Sequence, residues 1–178
     1  MLHMRIEFEN TLEDKIAFLQ HIYKTSPSMK RRRLMLIYLF PILWFIILVL
    51  PSISSKEIYV EIIIWFVISI VWMIFIPYLY KRGLIRNARK LYSEGENKGA
   101  IGKHIIEVNP EYIEDITDFG EYKIKWNAIN KVETDNSHIY IFISSVAAHV
   151  IPKKYFNCNS EVEIFLNEIQ NHINKKKV

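Results

Sequence analysis

The sequence predicts an α+β membrane protein, in which a hairpin of two transmembrane helices is joined to an antiparallel sheet closed by a C-terminal helix. Three observations support this class. Two long uncharged runs lie in the first half of the chain, and basic residues are concentrated before the first run and after the second. From residue 101 onward, apolar residues alternate with polar ones. The hydrophobic fraction of 51% is an average over the two apolar runs and flanking sequence of mixed charge, so by itself it does not indicate a membrane protein.

The N-terminal segment, residues 1–29, is predicted to contain a short strand followed by an amphipathic helix. Ile6 and Phe8 alternate with charged neighbours, which is typical of a strand. Thr11 and Asp14 mark the start of a helix, and the apolar residues that follow recur at helical spacing. A single strand is not stable alone. We therefore expect this segment to pack on the C-terminal domain, on the cytoplasmic side.

Residues 30–80 are predicted to form the transmembrane hairpin, with helices at about 34–53 and 58–80. The first run has no charge over a length that crosses a hydrocarbon core, and Pro41 is expected to kink it without ending it. A signal peptide is disfavoured because about thirty residues precede this run and no small-residue cleavage site follows it. A buried soluble core is disfavoured because two uncharged stretches of this length are rare in a small soluble domain.

Basic residues flank the two runs and are predicted to contact the anionic lipids of the inner leaflet. They are Lys30, Arg31, Arg32 and Arg33 before the first run, and Lys81, Arg82, Arg86, Arg89 and Lys90 after the second. The connecting loop has only Lys56 beside two glutamates. Since positive charge favours the cytoplasmic side, we expect a multi-pass protein of the cell membrane with both termini in the cytoplasm. General electrostatic attachment is favoured over specific recognition of a phosphoryl headgroup.

Neither run has a charged residue near its middle, which argues against ion-coupled transport. A hairpin of two helices is also too small to enclose a pathway by itself. We therefore expect an anchor, or one part of a larger assembly such as a homo-oligomer.

The rest of the chain is predicted to form a basic juxtamembrane helix or linker in residues 81–99 and a sheet domain in residues 100–178. About six short strands follow at close spacing, with turn signals such as Phe119-Gly120. Such spacing indicates antiparallel pairing. A final amphipathic helix, with Ser160 and Glu163 as a capping box, would close the sheet. A bent sheet or half-barrel closed by one helix is the general plan of a pleckstrin-homology-like domain.

Two motifs in the C-terminal domain resemble those of the YcxB-like family. They are W-x-x-I-x-K-V and I-P-K-x-x-F, formed here by Trp126, Ile129, Lys131, Val132, Ile151, Pro152, Lys153 and Phe156. The similarity extends over nearly the whole chain. It implies a bacterial membrane-anchored protein of largely undefined biochemistry, with these residues in structural roles. Some members of the family are thought to be immunity proteins against toxins or bacteriocins.

No pattern in the sequence predicts a catalytic site, a cofactor or a metal. The six histidines form no HExxH motif, and a single cysteine excludes a multi-cysteine zinc site. The acidic cluster of Glu114, Asp115 and Asp118 lacks the glycine and the further ligands of a calcium loop. His104 and His149 could approach each other across the sheet, although ordinary surface histidines are the favoured interpretation.

The predicted function is therefore binding without catalysis. In one form the protein is an immunity protein that protects the cell from a toxin or bacteriocin. In the other it is a regulatory module at the inner leaflet that recruits a cytoplasmic or membrane partner. A membrane-bound hydrolase that uses Asp115 and Asp118, or the histidines, is a less favoured alternative. Nucleic acid is not an expected partner, because the basic excess gathers beside the apolar runs and acidic residues are frequent elsewhere.

The asymmetry of the basic flanks gives a first testable prediction. In a Cys158→Ser background, a cysteine placed at Ser54 should react with a membrane-impermeant maleimide in intact cells. One placed at Ser145 should react only after the membrane is permeabilised, because the sheet domain is expected in the cytoplasm. Labelling of position 145 but not position 54 in intact cells would show the opposite orientation.

Overall fold

The chain divides into a sheet unit, formed by Met1–Leu19 and Arg89–Val178, and a helical unit, formed by Gln20–Ala88. The computed structural model describes residues 4–54, 56, 58–93 and 100–176. The predicted linker ahead of the sheet domain includes residues 94–99, which lie outside the described residues.

The sheet unit contains seven strands in the part of the chain that the structure describes. They are β1 (Arg5–Asn10), β2 (Gly102–Val108), β3 (Tyr112–Thr117), β4 (Gly120–Lys125), β5 (Lys131–Thr134), β6 (His138–Phe142) and β7 (Ala148–Pro152). One sheet has the order β1-β2-β3-β4 and the other has the order β5-β6-β7. Every pairing is antiparallel. The α+β class and the antiparallel sheets predicted from the sequence are therefore confirmed.

The described helices are of several kinds. The α-helices are α1 (Leu12–Thr25), α2 (Pro27–Trp44), α3 (Ile58–Ser93) and α4 (Asn159–Lys176). A π-helical turn, Phe45–Val49, follows α2, and 3₁₀ turns occupy Pro51–Ser54, Trp126–Ala128 and Lys153–Tyr155.

Strand β1 pairs with β2 along its whole length, with Ile6 opposite Ile106 and Phe8 opposite His104. Alternate residues of β1 are buried, as its polar–apolar alternation requires. The N-terminal strand thus has its hydrogen-bonding partner in the segment that follows the apolar helices, more than ninety positions later in the chain.

The hydrophobic core of the sheet unit includes residues of both sheets and one face of α4. Phe165 and Ile169 of α4 are fully buried, since these residues belong to the apolar stripe of an amphipathic helix. Trp126, in the 3₁₀ turn after β4, is 1% exposed, and its Nε1–H donates to the carbonyl oxygen of Asn109 at 3.0 Å. Trp126 is therefore a core aromatic, which agrees with the structural role that the family resemblance implies for it.

Side-chain hydrogen bonds cap the N-termini of α1 and α4. Thr11 and Asp14 form a reciprocal capping box at α1, with Thr11 N donating to Asp14 Oδ2 at 2.8 Å and Asp14 N donating to Thr11 Oγ1 at 3.3 Å. The capping box predicted for Ser160 and Glu163 at α4 is wrong. The backbone N–H of Asn157 instead donates to Glu161 Oε2 at 2.7 Å, because the helix begins at Asn159, two residues earlier than the box requires.

In the helical unit, the helix bounds differ from the predicted spans of 34–53 and 58–80: α2 begins and ends earlier than predicted, and α3 ends later. Helix α2 begins at Pro27. Proline is well suited to the first turn of a helix, because a backbone N–H at that position makes no hydrogen bond within the helix. Pro41 lies inside α2, and the π-helical turn follows it within one helical turn. Helix α3 continues through the basic residues to Ser93.

Two tryptophans join the apolar helices. The indole Nε1–H of Trp65 donates to the carbonyl oxygen of Pro41 at 3.0 Å, and that of Trp72 donates to the carbonyl oxygen of Leu36 at 3.1 Å. The ring of Phe40 stacks on Trp72 with 4.0 Å between centroids. These contacts fix α3 against α2 without any charged group.

The apolar side chains of the helical unit are mostly exposed, unlike those of a soluble core helix. The segments Pro27–Val49 and Ile58–Ser93 reach mean hydropathies of 2.0 and 2.5, and only 11% and 6% of their most apolar windows are buried. Both helices are long and apolar enough to cross a membrane. The helical unit therefore has the features of a membrane-associated segment.

Helix α4 gives a prediction about stability. Phe165→Ala should lower the free energy of unfolding of the sheet unit by about 3–5 kcal/mol, because it leaves a cavity in the core. The neighbouring Ile164 is 52% exposed, so Ile164→Ala should change it by no more than about 0.5 kcal/mol. Pulse proteolysis of the detergent-solubilised protein in increasing urea measures both values. Equal losses in the two variants would contradict the packing of α4.

Candidate functional site

Asp115 of β3 lies between two imidazole rings. Its Oδ1 is 2.9 Å from Nδ1 of His104, and its Oδ2 is 2.7 Å from Nδ1 of His149. His104 lies in β2, the neighbour of β3, whereas His149 comes from β7 of the other sheet. The Asp115 side chain is only 4% exposed. The carboxylate therefore connects the two sheets through one hydrogen bond to each.

The two hydrogen bonds determine which ring nitrogen remains open. A carboxylate can only accept, so each imidazole donates its Nδ1–H to Asp115. The Nε2 atom of each ring is then an acceptor when the ring is neutral and a donor when it is protonated. Nε2 of His104 is buried and has no hydrogen-bond partner in the described part of the chain. Phe8 stacks on the His104 ring at 5.5 Å and holds its orientation.

The hydrogen bonds also set the ionisation of Asp115. Burial by itself would raise the pKa of this carboxyl, but the hydrogen bonds from His104 and His149 outweigh burial and lower the pKa to about 2. Asp115 is therefore ionised at any physiological pH. Its charge is satisfied within the cluster, because both oxygens accept a hydrogen bond.

A cleft of about 530 Å³ opens beside this cluster. Its walls come from β1, α1, β2, β3, β4 and β7, and His104, Asp115 and His149 all line it. Asn10, the last residue of β1, also lines it and is 2% exposed, and its side-chain oxygen has no hydrogen-bond partner among the described residues. The volume is sufficient for a small organic molecule.

Lys15, in the first turn of α1, lines the same cleft. Burial lowers the pKa of its ammonium group to about 8, while the negative charges of Asp115 and Asp14 act in the opposite direction. The capping box of Thr11 and Asp14 fixes the start of α1 and thereby the position of Lys15.

A second histidine cluster is formed by His138 with Asp14 and Asp135. Nε2 of His138 is 2.8 Å from Asp14 Oδ1, and its Nδ1 is 3.7 Å from Asp135 Oδ1. The hydroxyl of Tyr140 donates to Asp135 Oδ2 at 2.7 Å, and burial together with this carboxylate raises the pKa of Tyr140. Backbone N–H groups of Ser137 and His138 also donate to Asp135. This cluster holds α1 and the β5–β6 turn in place.

The residues singled out from the sequence have different positions in the structure. Asp115, His104 and His149 meet, as the less favoured interpretation of the two histidines allowed. Glu114 instead pairs with Lys123 at 3.1 Å, and Asp118 is exposed at the β3–β4 turn, so the predicted acidic cluster is not a single site. The predicted lipid-contacting residues lie on α2 and α3 and do not line the cleft.

Sequence analysis missed Lys15 and Asn10. Both precede the apolar helices, whereas the histidines follow them, so no local spacing connects these groups. The only available signal was the expected pairing of the N-terminal strand.

Among the described residues, no group of three His, Cys, Asp or Glu side chains is arranged to hold a metal ion. The cluster itself explains this result, because both oxygens of Asp115 already accept hydrogen bonds from ring nitrogens.

The family model described as YcxB-like protein matches residues 108–169. This match confirms the resemblance to the YcxB-like family over about a third of the chain, and both motifs fall inside the matched residues. It includes Asp115 and His149 but not His104, Asn10 or Lys15. No curated protein and no solved structure matches the chain.

The motif residues have structural contacts. Trp126, Ile129 and Ile151 are buried in one core with Phe156. Nζ of Lys153 donates to the carbonyl oxygen of Asp135. The motifs therefore describe the core and the turns of the sheet unit.

The pKa of Asp115 gives a prediction about acid stability. The ordinary value is 3.8 and the folded value is about 2, so the carboxylate stabilises the fold above pH ~4 and loses this effect as the pH falls towards 2. The depression corresponds to about 2 kcal/mol. Asp115→Asn should lower the stability at neutral pH and flatten its decrease between pH ~4 and ~2, as measured by urea unfolding.

Asp118→Asn is the matched control, because this exposed carboxylate lies on the adjoining turn and has no such pair of imidazoles. It should leave both the stability and its acid dependence close to those of the unchanged protein. If the two variants behave alike, the hydrogen bonds of Asp115 do not contribute as the geometry indicates.

Proposed function

We propose that this protein is a membrane-anchored binding protein without catalytic activity, whose sheet unit carries the ligand-binding cleft. The carrying observation is that two residues lining the cleft, His104 and Asn10, each have a buried side-chain atom without a partner among the described residues, Nε2 and Oδ1 respectively. Such an atom costs roughly 1–3 kcal/mol when it is left unsatisfied. A ligand that hydrogen-bonds to these atoms removes that cost.

The helical unit is the membrane anchor in this proposal. Its two helices have the required length and composition, and the basic residues lie at the ends that the sheet unit adjoins in sequence. Each of these charges contributes about 1 kcal/mol of attraction to an anionic leaflet. The protein therefore spans the membrane twice, with both termini and the sheet unit in the cytoplasm.

The arrangement of the strands supports a pleckstrin-homology-like architecture for the sheet unit. Four strands form one antiparallel sheet, three form a second, and a C-terminal helix packs one apolar face on the core of both. This order agrees with the plan predicted from the sequence. Folds of this kind support binding in many contexts, so the function is argued from the cleft and not from the fold.

The absence of catalysis is proposed because the cluster lacks a nucleophile of its own. The Asp115–His149 pair has the geometry of a base and the carboxylate that orients it. Within the described residues, no hydroxyl or thiol forms a hydrogen bond with either imidazole of the cluster. The hydrolase based on Asp115 and Asp118 is disfavoured, because Asp118 does not line the cleft.

Two forms of the binding function differ in which unit contacts the partner. The cleft favours the regulatory form, in which the sheet unit recruits a cytoplasmic or membrane partner. Self-protection against a toxin, intercepted by the helices within the bilayer, is the second form and is supported by the family resemblance alone.

Exchange of the hairpin separates these forms. We expect a variant in which residues 34–80 are replaced by an unrelated two-helix hairpin to retain the partners of the sheet unit. A photo-cross-linking residue at Tyr122, on the cleft wall, should give the same cross-linked products in cells with either hairpin. Interception within the bilayer instead requires the native helices, so its products would disappear on exchange.

Position Ile164 is the control for this experiment, because it is exposed on α4 and does not line the cleft. Cross-links from position 122 that do not exceed those from position 164 would count against binding by the sheet unit. Extraction of the full chain from membranes by alkaline carbonate would count against the anchor.

A further inference from the structure

Strand β4 forms a free edge of the four-stranded sheet. It pairs with β3 on one side, and in the part of the chain that the structure describes no strand pairs with its other side. Five of its six residues are exposed. An edge strand of this kind presents a row of unpaired backbone N–H and C=O groups, which a second extended segment can satisfy.

The register of the β3–β4 hairpin determines which backbone groups are unpaired. A loop of two residues joins the strands, and the residues that flank this loop are partners that exchange both hydrogen bonds. Hydrogen-bonded pairs alternate along an antiparallel ladder, so Tyr122 and Ile124 also bond to β3. The backbone groups of Glu121, Lys123 and Lys125 therefore point away from β3. Among the described residues, they make no hydrogen bond in a turn or loop.

The cleft of about 530 Å³ extends to this free edge. Residues 121–124 of β4 line it, and its wall continues with Ile143 before β7 and with Ala148 and Val150 of β7. Alternate side chains of a strand point to opposite faces of its sheet. A segment that pairs with β4 therefore directs every second side chain into an apolar part of the cleft, and these side chains must be apolar.

The charges beside the free edge differ between its two ends. Glu121 lies near one end and Lys125 at the other, and neither has an ion pair among the described residues. Lys123, between them, is paired with Glu114 at 3.1 Å. Side chains of opposite charge stabilise a sheet when they lie directly across from each other. A segment antiparallel to β4 therefore fits best with an acidic residue opposite Lys125 and a basic residue opposite Glu121, four positions later.

We propose that the free edge of β4 binds an extended peptide segment of a partner protein, which adds a fifth strand antiparallel to β4. Over five residues its pattern is acidic, apolar, neutral, apolar and basic. The charged ends face Lys125 and Glu121, and the two apolar side chains enter the cleft beside Ile124 and Tyr122. This inference rests on the proposed function, since it names the kind of partner that the sheet unit recruits at the same cleft.

A second copy of this chain is a less suitable occupant. When two β4 strands pair antiparallel about their centre, Lys123 lies directly opposite its own counterpart. Like charges in this position are destabilising, and a lysine on an edge strand is a common means of preventing such pairing. A partner with a neutral residue at this position avoids the repulsion.

The test uses the full chain in nanodiscs of zwitterionic lipid and a fluorescein-labelled peptide with the sequence TEVTIKT. Its glutamate is placed opposite Lys125 and its lysine opposite Glu121. Fluorescence anisotropy should show saturable binding, whereas empty nanodiscs should show none. The peptide TKVTIET, in which the two charges are exchanged, should bind about tenfold more weakly, because both cross-strand pairs become repulsive.

Methylation of the peptide backbone tests the hydrogen bonds separately from the charges. An N-methyl group on the central threonine removes the N–H that donates to the carbonyl oxygen of Lys123, so it should weaken binding by about tenfold or more. An N-methyl group on the valine is the matched control, because this N–H points away from β4. It should change the affinity by no more than about twofold.

Variants of Lys123 test the same edge from the protein side. Lys123→Pro removes an N–H that points away from β3, and proline is tolerated at such a position of an edge strand. We expect it to weaken binding of the unmethylated peptide by about tenfold or more. Lys123→Ala removes the same charge but keeps the N–H, so it should change the affinity by no more than about threefold. Melting temperatures verify the fold, and the methylated peptides give the same comparison if Lys123→Pro does not fold.

The absence of saturable binding, equal affinity of the two methylated peptides, or equal affinity of the two charge arrangements would each overturn the proposal. Sedimentation of the detergent-solubilised protein examines the second copy. A dimer that Lys123→Pro dissociates would assign the edge to that copy and also overturn the proposal. These failures concern only the kind of partner. Cross-links from position 122 that exceed those from position 164 would leave the proposed binding function standing, whereas their loss concerns that function itself.

Discussion

The hydrogen bonds of one buried carboxylate hold the two sheets together at the edge of the hydrophobic core. Asp115 belongs to the four-stranded sheet, and it accepts from His104 of the same sheet and from His149 of the other. The core residues of the two sheets meet through non-directional packing. The carboxylate adds a directional constraint, because its two oxygens fix the position of both rings. The cleft beside it has a defined polar wall for this reason.

The start of α1 depends on the same kind of constraint. Asp14 caps the helix through Thr11 and also accepts from His138 of β6, so one carboxylate fixes both the beginning of α1 and its attachment to the second sheet. Hydrogen bonds from His138 and Thr11 outweigh the effect of burial and lower the pKa of Asp14. Lys15, the next residue, is thereby held at the cleft although its own side chain forms no ion pair among the described residues.

The sequence was sufficient to predict the class of the fold, because each element has a strong local pattern. Alternation predicted the antiparallel strands, and Thr11 with Asp14 predicted the start of α1. Helix ends were harder to predict. The cap of α4 is formed by Asn157 and Glu161, whereas the sequence pattern favoured Ser160 and Glu163. The site was only partly predictable. Its histidines were noted, but the groups that complete it come from opposite sides of the apolar helices, and burial rather than spacing determines their chemistry.

Comparison of the two histidine–aspartate clusters shows that their carboxylates satisfy different groups. The bonds of Asp14 and Asp135 satisfy backbone N–H groups of a helix start and a turn, which any fold must satisfy somewhere. The bonds of Asp115 satisfy no backbone group. Buried polar clusters of this type can often be replaced by apolar side chains without loss of stability. Each cluster also leaves one buried ring nitrogen without a hydrogen-bond partner among the described residues, Nε2 of His104 and Nδ1 of His138. The two clusters therefore differ in the groups that their carboxylates satisfy, and not in the presence of an unpartnered ring nitrogen.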